Sequence, residues 1–345
     1  MYIRFVLAAL RLRNYLFPNR TRSMNTTSES IGVWSLLPNT ISPQARAIAQ
    51  AQRLIPRSKS FPANRAEWQV RNDAYKAGVA SAAMEQVLNI KPCKSRKVVI
   101  DGAEHTLFYP DHYDESKDRR LIVHVHGGGY VLGAPECEKP AATPIVASMN
   151  CPVLSIRYPL WWEESPGADV DRVIAIYREL RKERDASSIA LMGASAGAGL
   201  VLRATLKLHQ LGEQMPAVLA LATPWTDVGG SGDTARTLSP YDIIDTRVHE
   251  IITGLVGSAE LLNSPAISPI YADYPSNFPP SILATGTRDS LLSDSARLQR
   301  KLIKAGIPHE LHVFEGMPHG FMGFRIPEAD ACMHDFSVFL KKYLG

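Results

Sequence analysis

Residues 189–200 read Ile189-Ala190-Leu191-Met192-Gly193-Ala194-Ser195-Ala196-Gly197-Ala198-Gly199-Leu200. The apolar run 189–192 predicts a strand, and the pattern over 198–211 predicts a helix. Between them two glycines flank a serine at the spacing G-x-S-x-G. Strand, tight turn and helix in that order are the setting of a nucleophile elbow. The turn is strained and crowded, so glycine is needed where a side chain would collide. Ala194 and Ala196 are small enough for the same crowding. Such a turn lifts the Ser195 hydroxyl out at the end of a sheet, and the helix N-terminus beside it favours negative charge. A flexible small-residue loop would share this composition but not the flanking strand and helix.

Upstream, His126-Gly127-Gly128-Gly129-Tyr130 follows directly on a predicted strand over 121–125. Three glycines remove side chains, so backbone N–H groups can converge on one point. A plain glycine turn would look the same in isolation. Paired with the elbow, it has the position of an oxyanion-binding loop, in which one lost donor typically costs about 3–4 kcal/mol of transition-state stabilisation.

Further out, short β-branched runs alternate with helical stretches. Strands are expected at 98–100, 106–109, 121–125, 153–156, 189–192, 217–221, 281–284 and 310–314. The first two form an antiparallel pair joined at Asp101-Gly102. Helices are expected at 169–183, 198–211, 294–305 and 329–343. This alternation predicts a mostly parallel sheet covered on both faces. The stretch 226–280 carries no strand signal and only one helical run, around 247–256. Insertions of that size are commonly functional lids.

A serine nucleophile needs a base, and the base needs an orienting acid. Of ten histidines, His319 lies in a Pro-His-Gly turn just after the last predicted strand and is the expected base. His124 and His126 share one face near a strand, but no further metal ligands are spaced to join them. His209 falls within a predicted helix, His249 in the insertion, and His309 and His312 before or within the last strand. For the acid, Asp289 and Asp227 both follow predicted strands. Asp294 is a weaker third, because it is placed to open a helix.

The chain resembles the hormone-sensitive-lipase-like family of α/β-hydrolase carboxylesterases over about residues 98–345. The resemblance is carried by His126 to Tyr130, Gly193 to Gly197, Thr223-Pro224-Trp225-Thr226-Asp227, Ser268-Pro269, Gly286 to Asp294, and Pro318-His319-Gly320-Phe321. It implies an α/β-hydrolase fold with a mostly parallel eight-stranded sheet. It also implies Ser195 as nucleophile, Asp289 as acid, His319 as base, and the N–H groups of Gly128, Gly129 and Ala196 as oxyanion hole. Asp227 then becomes structural. A helical cap built from the N-terminal segment and the 226–280 insertion is implied as well. The expected activity is hydrolysis of small to medium carboxylic esters through an acyl-enzyme, with no cofactor and no metal. The same machinery would serve a lactonase, an amidase or an acyl-transferring enzyme. A non-catalytic small-molecule receptor is the reading from another class, and retention of all three triad residue types speaks against it.

Three departures from the family pattern stand out. Ala194 occupies the place where Asp is common, and Ala198-Gly199 stand where Gly-Asn is common. The run Ser155-Ile156-Arg157-Tyr158-Pro159-Leu160-Trp161-Trp162-Glu163 replaces Asp-Tyr-Arg-Leu-Ala-Pro-Glu. Trp161 and Trp162 fit either a core or an acyl site.

Of 345 residues, 45% are hydrophobic and 21% charged. That is ordinary globular usage and disfavours a disordered or collagen-like chain. The net charge of +4 conceals a split. Residues 1–97 carry 16 Lys/Arg and 4 Asp/Glu, whereas residues 98–345 carry 22 and 30. A basic front on an acidic body is not the uniform basic surface of a nucleic-acid binder.

Residues 1–28 hold five Arg and no acid, the composition of a transit peptide or interfacial anchor; a disordered or packing tail is the plainer alternative. Asn19 and Asn25 lie in sequons that matter only in a secreted chain. Residues 29–97 are expected to be a helical cap segment. Ser42-Pro43 opens one helix and a second spans 66–88. Four scattered cysteines suit a reducing compartment. The expected location is cytoplasmic, with a mitochondrial or membrane-surface leader as the alternative. The expected partner is a small ester, and the sequence does not fix an oligomeric state.

Overall fold

The computed structural model describes residues 37–52, 60–244 and 248–345. The basic leader at 1–28, with both sequons, lies outside the described residues. The first helix, α1 (Pro43–Gln52), begins as expected: Ser42 Oγ accepts the N–H of Ala45 at 3.1 Å, capping the orphan donors of the first turn. The single helix expected over 66–88 is instead α2 (Arg65–Val79) followed by the short α3 (Ala82–Glu85). Ser81 explains the break. Its hydroxyl donates to Gly78 O and accepts Met84 N–H, ending one helix and capping the next.

Eight strands form one sheet in the order β1-β2-β4-β3-β5-β6-β7-β8. They are β1 (Lys94–Ile100), β2 (Ala103–Tyr109), β3 (Leu121–Val125), β4 (Val153–Ile156), β5 (Ile189–Ala194), β6 (Val218–Ala222), β7 (Ser281–Gly286) and β8 (His309–Phe314). Strands β1 and β2 pair antiparallel around Asp101-Gly102, whose positive φ angles of 49° and 71° suit a two-residue hairpin turn. β2 pairs antiparallel with β4, and every pairing from β4 through β8 is parallel.

The parallel core is buried on both faces, as crossover helices require. Leu121, Val123 and Val125 of β3 enter one apolar cluster with α5 (Ala168–Arg181), α6 (Ala196–Gln210) and α10 (Leu292–Lys304). Ile122 points the other way. It joins α4 (Lys139–Met149), α11 (Pro327–Tyr343) and residues of α1. Helix α4 is not among the expected helices, and it holds two prolines, Pro140 and Pro144. Pro140 sits in the first turn, where no N–H is needed, and Pro144 is tolerated inside the helix.

Between β6 and β7 the chain leaves the sheet for α7 (Thr234–Thr237), α8 (Val248–Val256) and α9 (Ala259–Leu262). No strand lies among the described residues of this insertion, as expected. Among the described residues no helix is long and apolar enough to cross a membrane.

Candidate active site

Parallel strands deliver their loops to one end of the sheet, and the chemistry-bearing residues cluster there. β5 stops at Ala194 and α6 starts at Ala196, with Ser195 alone between them at φ 55° and ψ −123°. A serine in that left-handed region is held by its surroundings. Its N–H donates to Ala222 O at 2.9 Å, and its carbonyl accepts Ala198 N–H and Trp225 N–H. The flanking glycines are obligatory: a Cβ on Gly197 would fall 2.1 Å from Val125 O, and one on Gly193 2.5 Å from Gly197 O.

The glycine loop after β3 lies against this turn. A Cβ on Gly127 would meet Ser195 Cβ at 3.2 Å and Ala194 O at 2.9 Å. Among the described residues, the N–H groups of Gly128, Gly129 and Ala196 donate to no protein acceptor. His126 does not act as a base here. Its Nδ1–H donates to Gly127 O, and its ring stacks on Tyr158, 4.2 Å between centroids. Tyr158 O–H in turn donates to His126 O. Burial pulls the His126 pKa down to about 4, so the ring is neutral.

The loops after β7 and β8 carry the other two expected residues. His319 Nδ1 stands 3.0 Å from Asp289 Oδ1. Asp289 is fully buried and also accepts Leu291 N–H and Thr285 Oγ1–H. Burial penalises a charged His319, but the Asp289 charge and hydrogen bond, with Asp242 and Asp294 beyond, leave its pKa raised overall. Asp227 turns elsewhere: its Oδ2 accepts Arg297 at 2.5 Å and Tyr271 O–H at 3.3 Å. Asp294 Oδ2 accepts the N–H groups of Thr226 and Asp227, both at 2.7 Å. So Asp289 is the carboxylate the fold brings to His319, while Asp227 and Asp294 tie down the segment after β6. Asp294 lies in the first turn of α10 rather than capping it.

A family model described as alpha/beta hydrolase fold matches residues 122–323. This chain belongs to the hormone-sensitive-lipase-like α/β-hydrolases. It is similar to an esterase of Acinetobacter venetianus, 27% identical over 64% of this chain and 74% of that protein. An acetyl-hydrolase of Streptomyces hygroscopicus is 26% identical over 66% of this chain and 78% of its own length. A solved esterase of the bacterial hormone-sensitive lipase family superposes with a TM-score of 0.77 at 27% identity. It covers 88% of this chain and 99% of that one.

Two of the three departures from the family pattern have physical readings; nothing in the structure explains Ala194. A Cβ on Gly199 would come within 2.6 Å of Tyr130 Oη and 2.3 Å of Trp225 O, so the hydrolase uses glycine there to admit a buried tyrosine. Trp161 stacks on Tyr130 at 4.1 Å and 1° and donates Nε1–H to Asp169, which also pairs with buried Arg203. Trp162 donates to Val131 O. Both tryptophans are therefore packing residues behind the glycine loop.

Two residues at the site carried no sequence signal. Asn72, on α2, accepts Gly133 N–H at 2.8 Å and buttresses the end of the glycine loop. Asp242, in the insertion, accepts His319 N–H at 2.9 Å. Among the described residues, Asp242, Asp289 and His319 form the one group with metal-ligand atoms within 4.8 Å of one another. Their facing atoms are already committed to hydrogen bonds, so the donor set suits an oriented, hydrogen-bonded imidazole better than a cation.

Proposed function

We propose that this hydrolase is a serine carboxylesterase acting on small to medium carboxylic esters. Ser195 Oγ attacks the ester carbonyl while His319 Nε2 takes its proton. Asp289 fixes the tautomer by holding Nδ1–H and stabilises the imidazolium that forms. The N–H groups of Gly128, Gly129 and Ala196 receive the oxyanion. His319 then gives its proton to the leaving alkoxide. The acyl-enzyme is released by a water that the same base activates.

The observation that carries this reading is the 3.0 Å Asp289–His319 pair, on loops at the same sheet end as the strained Ser195 and its glycine loop. The esterase and acetyl-hydrolase relatives support the ester class. Small substrates are supported by crowding at the glycine loop: Val248 Cγ2 on α8 of the insertion, and Trp225 just before the insertion, both lie within 4 Å of where a Gly129 Cβ would be. The insertion, with α2 and α3, is proposed as a cap over the site. Membrane-surface attachment through residues 1–28 remains a separate proposal, tested by whether their deletion moves the protein to the soluble fraction.

The test is hydrolysis of p-nitrophenyl acetate and butyrate by wild type and Ser195→Ala. Wild type should turn over and the variant should lose at least three orders of magnitude. An inert wild type on a broad ester panel, or a fully active Ser195→Ala, would overturn the proposal. Lactones and amides in the same panel separate ester hydrolysis from its neighbours.

A further inference from the structure

We infer that Asp242, on the insertion between β6 and β7, is a positioning residue that fastens the loop carrying the acid to the loop carrying the base. The inference rests on the proposed triad. Its geometry is specific. Asp242 Oδ1 accepts the N–H of His319 at 2.9 Å. Oδ2 accepts the N–H of Ser290 at 2.7 Å and its hydroxyl at 2.6 Å, and Ser290 is the residue after Asp289. One carboxylate therefore bridges the main chain of both triad loops. Besides the Asp289–His319 pair itself, the two loops meet through Thr287 N–H to Phe314 O, Gly316 N–H to Thr287 Oγ1 and Arg288 N–H to Met317 O, all before their functional residues. Asp242 ties the main chain together at the functional residues.

The chemistry requires a carboxylate rather than an amide. Both oxygens face donors, including Ile243 N–H on Oδ1, so every contact is one an ionised Asp can accept. An Asn would turn an NH2 group toward either the His319 or the Ser290 N–H and break one arm of the bridge. The same carboxylate lies close enough to His319 to act on its charge. The groups acting on that imidazole are Asp289 after β7, Asp242 from the insertion and Asp294 on α10. Arg288 and Tyr241 border the seam and interact with each other. Asp242 itself is held above the usual carboxylate range by burial and by Asp289, while His319 and Ser290 pull it back down.

Two consequences follow. The insertion must be seated for the acid and base to be in register, so its placement is coupled to the alignment of the triad. A misplacement of about 1 Å at a catalytic pair can cost roughly a hundredfold in rate. In addition, the second negative charge beside His319 favours its protonated form, which the reaction creates at the transition state.

The test compares wild type with Asp242→Asn in two readouts. The first is the pH profile of short p-nitrophenyl ester hydrolysis. Asp242→Asn should lower kcat by about tenfold or more with KM changed far less, and the acid limb should move to lower pH. The second is NMR titration of the His319 imidazole, assigned with a His319→Gln control, in the free enzyme. This reads the charge effect whether or not any ester is turned over, so a failure of the esterase reading stays distinguishable from a failure here. Asp242→Glu, which keeps the charge, should restore the titration and part of kcat. If Asp242→Asn does not fold, Asp242→Ser is measured in its place. A folded variant with kcat within twofold of wild type would overturn the inference. So would a variant that loses activity while the His319 titration stays put, because Asp242 would then be only structural.

Discussion

Asp289 and Asp227 are both fully buried aspartates after parallel strands, and only their partners tell them apart. Asp289 spends Oδ1 on His319 and Leu291 and Oδ2 on Thr285. Asp227 spends Oδ2 on Arg297 and Tyr271. Replacing the acid by its amide keeps the shape but lets the imidazole settle in the wrong tautomer; in serine proteases that change costs about 10⁴ in kcat. Asp289→Asn should therefore fold and lose activity on that order. Asp227→Asn should instead keep kcat within a fewfold and melt earlier, since it unpairs Arg297. Steady-state kinetics and thermal melts on the two variants check this. Equal losses of kcat would mean the acid is misassigned. A further sign follows from His319. The proposed mechanism needs the neutral ring and the raised pKa favours the charged one, so kcat/KM should fall as pH drops through that titration.

At the scale of elements, the elbow, the glycine loop and the order of strands and helices were legible because local rules dictate them. Gly193 and Gly197 are forced by backbone contacts within 2.5 Å, and alternating runs of period 2 and 3.6 fix the layers. Helix α4 was not legible, because its prolines mimic a break. The split between α2 and α3 depends on one serine that caps in both directions. What holds the site from outside was hidden for a different reason: Asn72 lies 61 residues from Gly133, and Asp242 lies 77 from His319. No periodicity reports such pairs. Asn72 illustrates the consequence. Its amide answers both Gly133 N–H and Gly133 O, at 2.8 and 3.4 Å, so α2 braces the loop whose N–H groups would bind the oxyanion. Asn72→Ala leaves a buried N–H unanswered, at a cost of about 1–3 kcal/mol. Stability should fall by that order, and kcat should fall more than KM rises. An unchanged kcat in a destabilised variant would show that the loop holds its shape without α2.

Across the whole molecule the charge split proves less informative than the buried titratable groups. A row of polar side chains crosses the sheet: Thr106 on β2 pairs with Ser155 on β4, which pairs with His124 on β3. Among the described residues, the Thr106 and Ser155 hydroxyls and both His124 ring nitrogens have no hydrogen-bond partner. Glu138 approaches His124 Nδ1 only to 3.6 Å, too far for a hydrogen bond. Burial pushes Glu138 up to about 8 and pulls His124 down to about 3, so both are neutral in the fold at pH 7. The signs are opposite in their effect on stability. Glu138 holds its proton in the fold and loses it in the unfolded chain above its ordinary 4.5. Its contribution is thus complete below 4.5 and is lost as pH rises to about 8. His124 costs stability as pH falls from 6.5 toward 3, where only the unfolded chain takes up the proton. Glu138→Gln removes the Glu138 effect and leaves that of His124. Its advantage over wild type should widen between pH 5 and pH 8 by up to about 1.4 kcal/mol per pH unit. Water reaching the partly open carboxyl would trim that figure. Urea denaturation of both proteins across this range measures it. A difference that stays flat would mean that Glu138 is ionised in the fold and paired with a protonated His124.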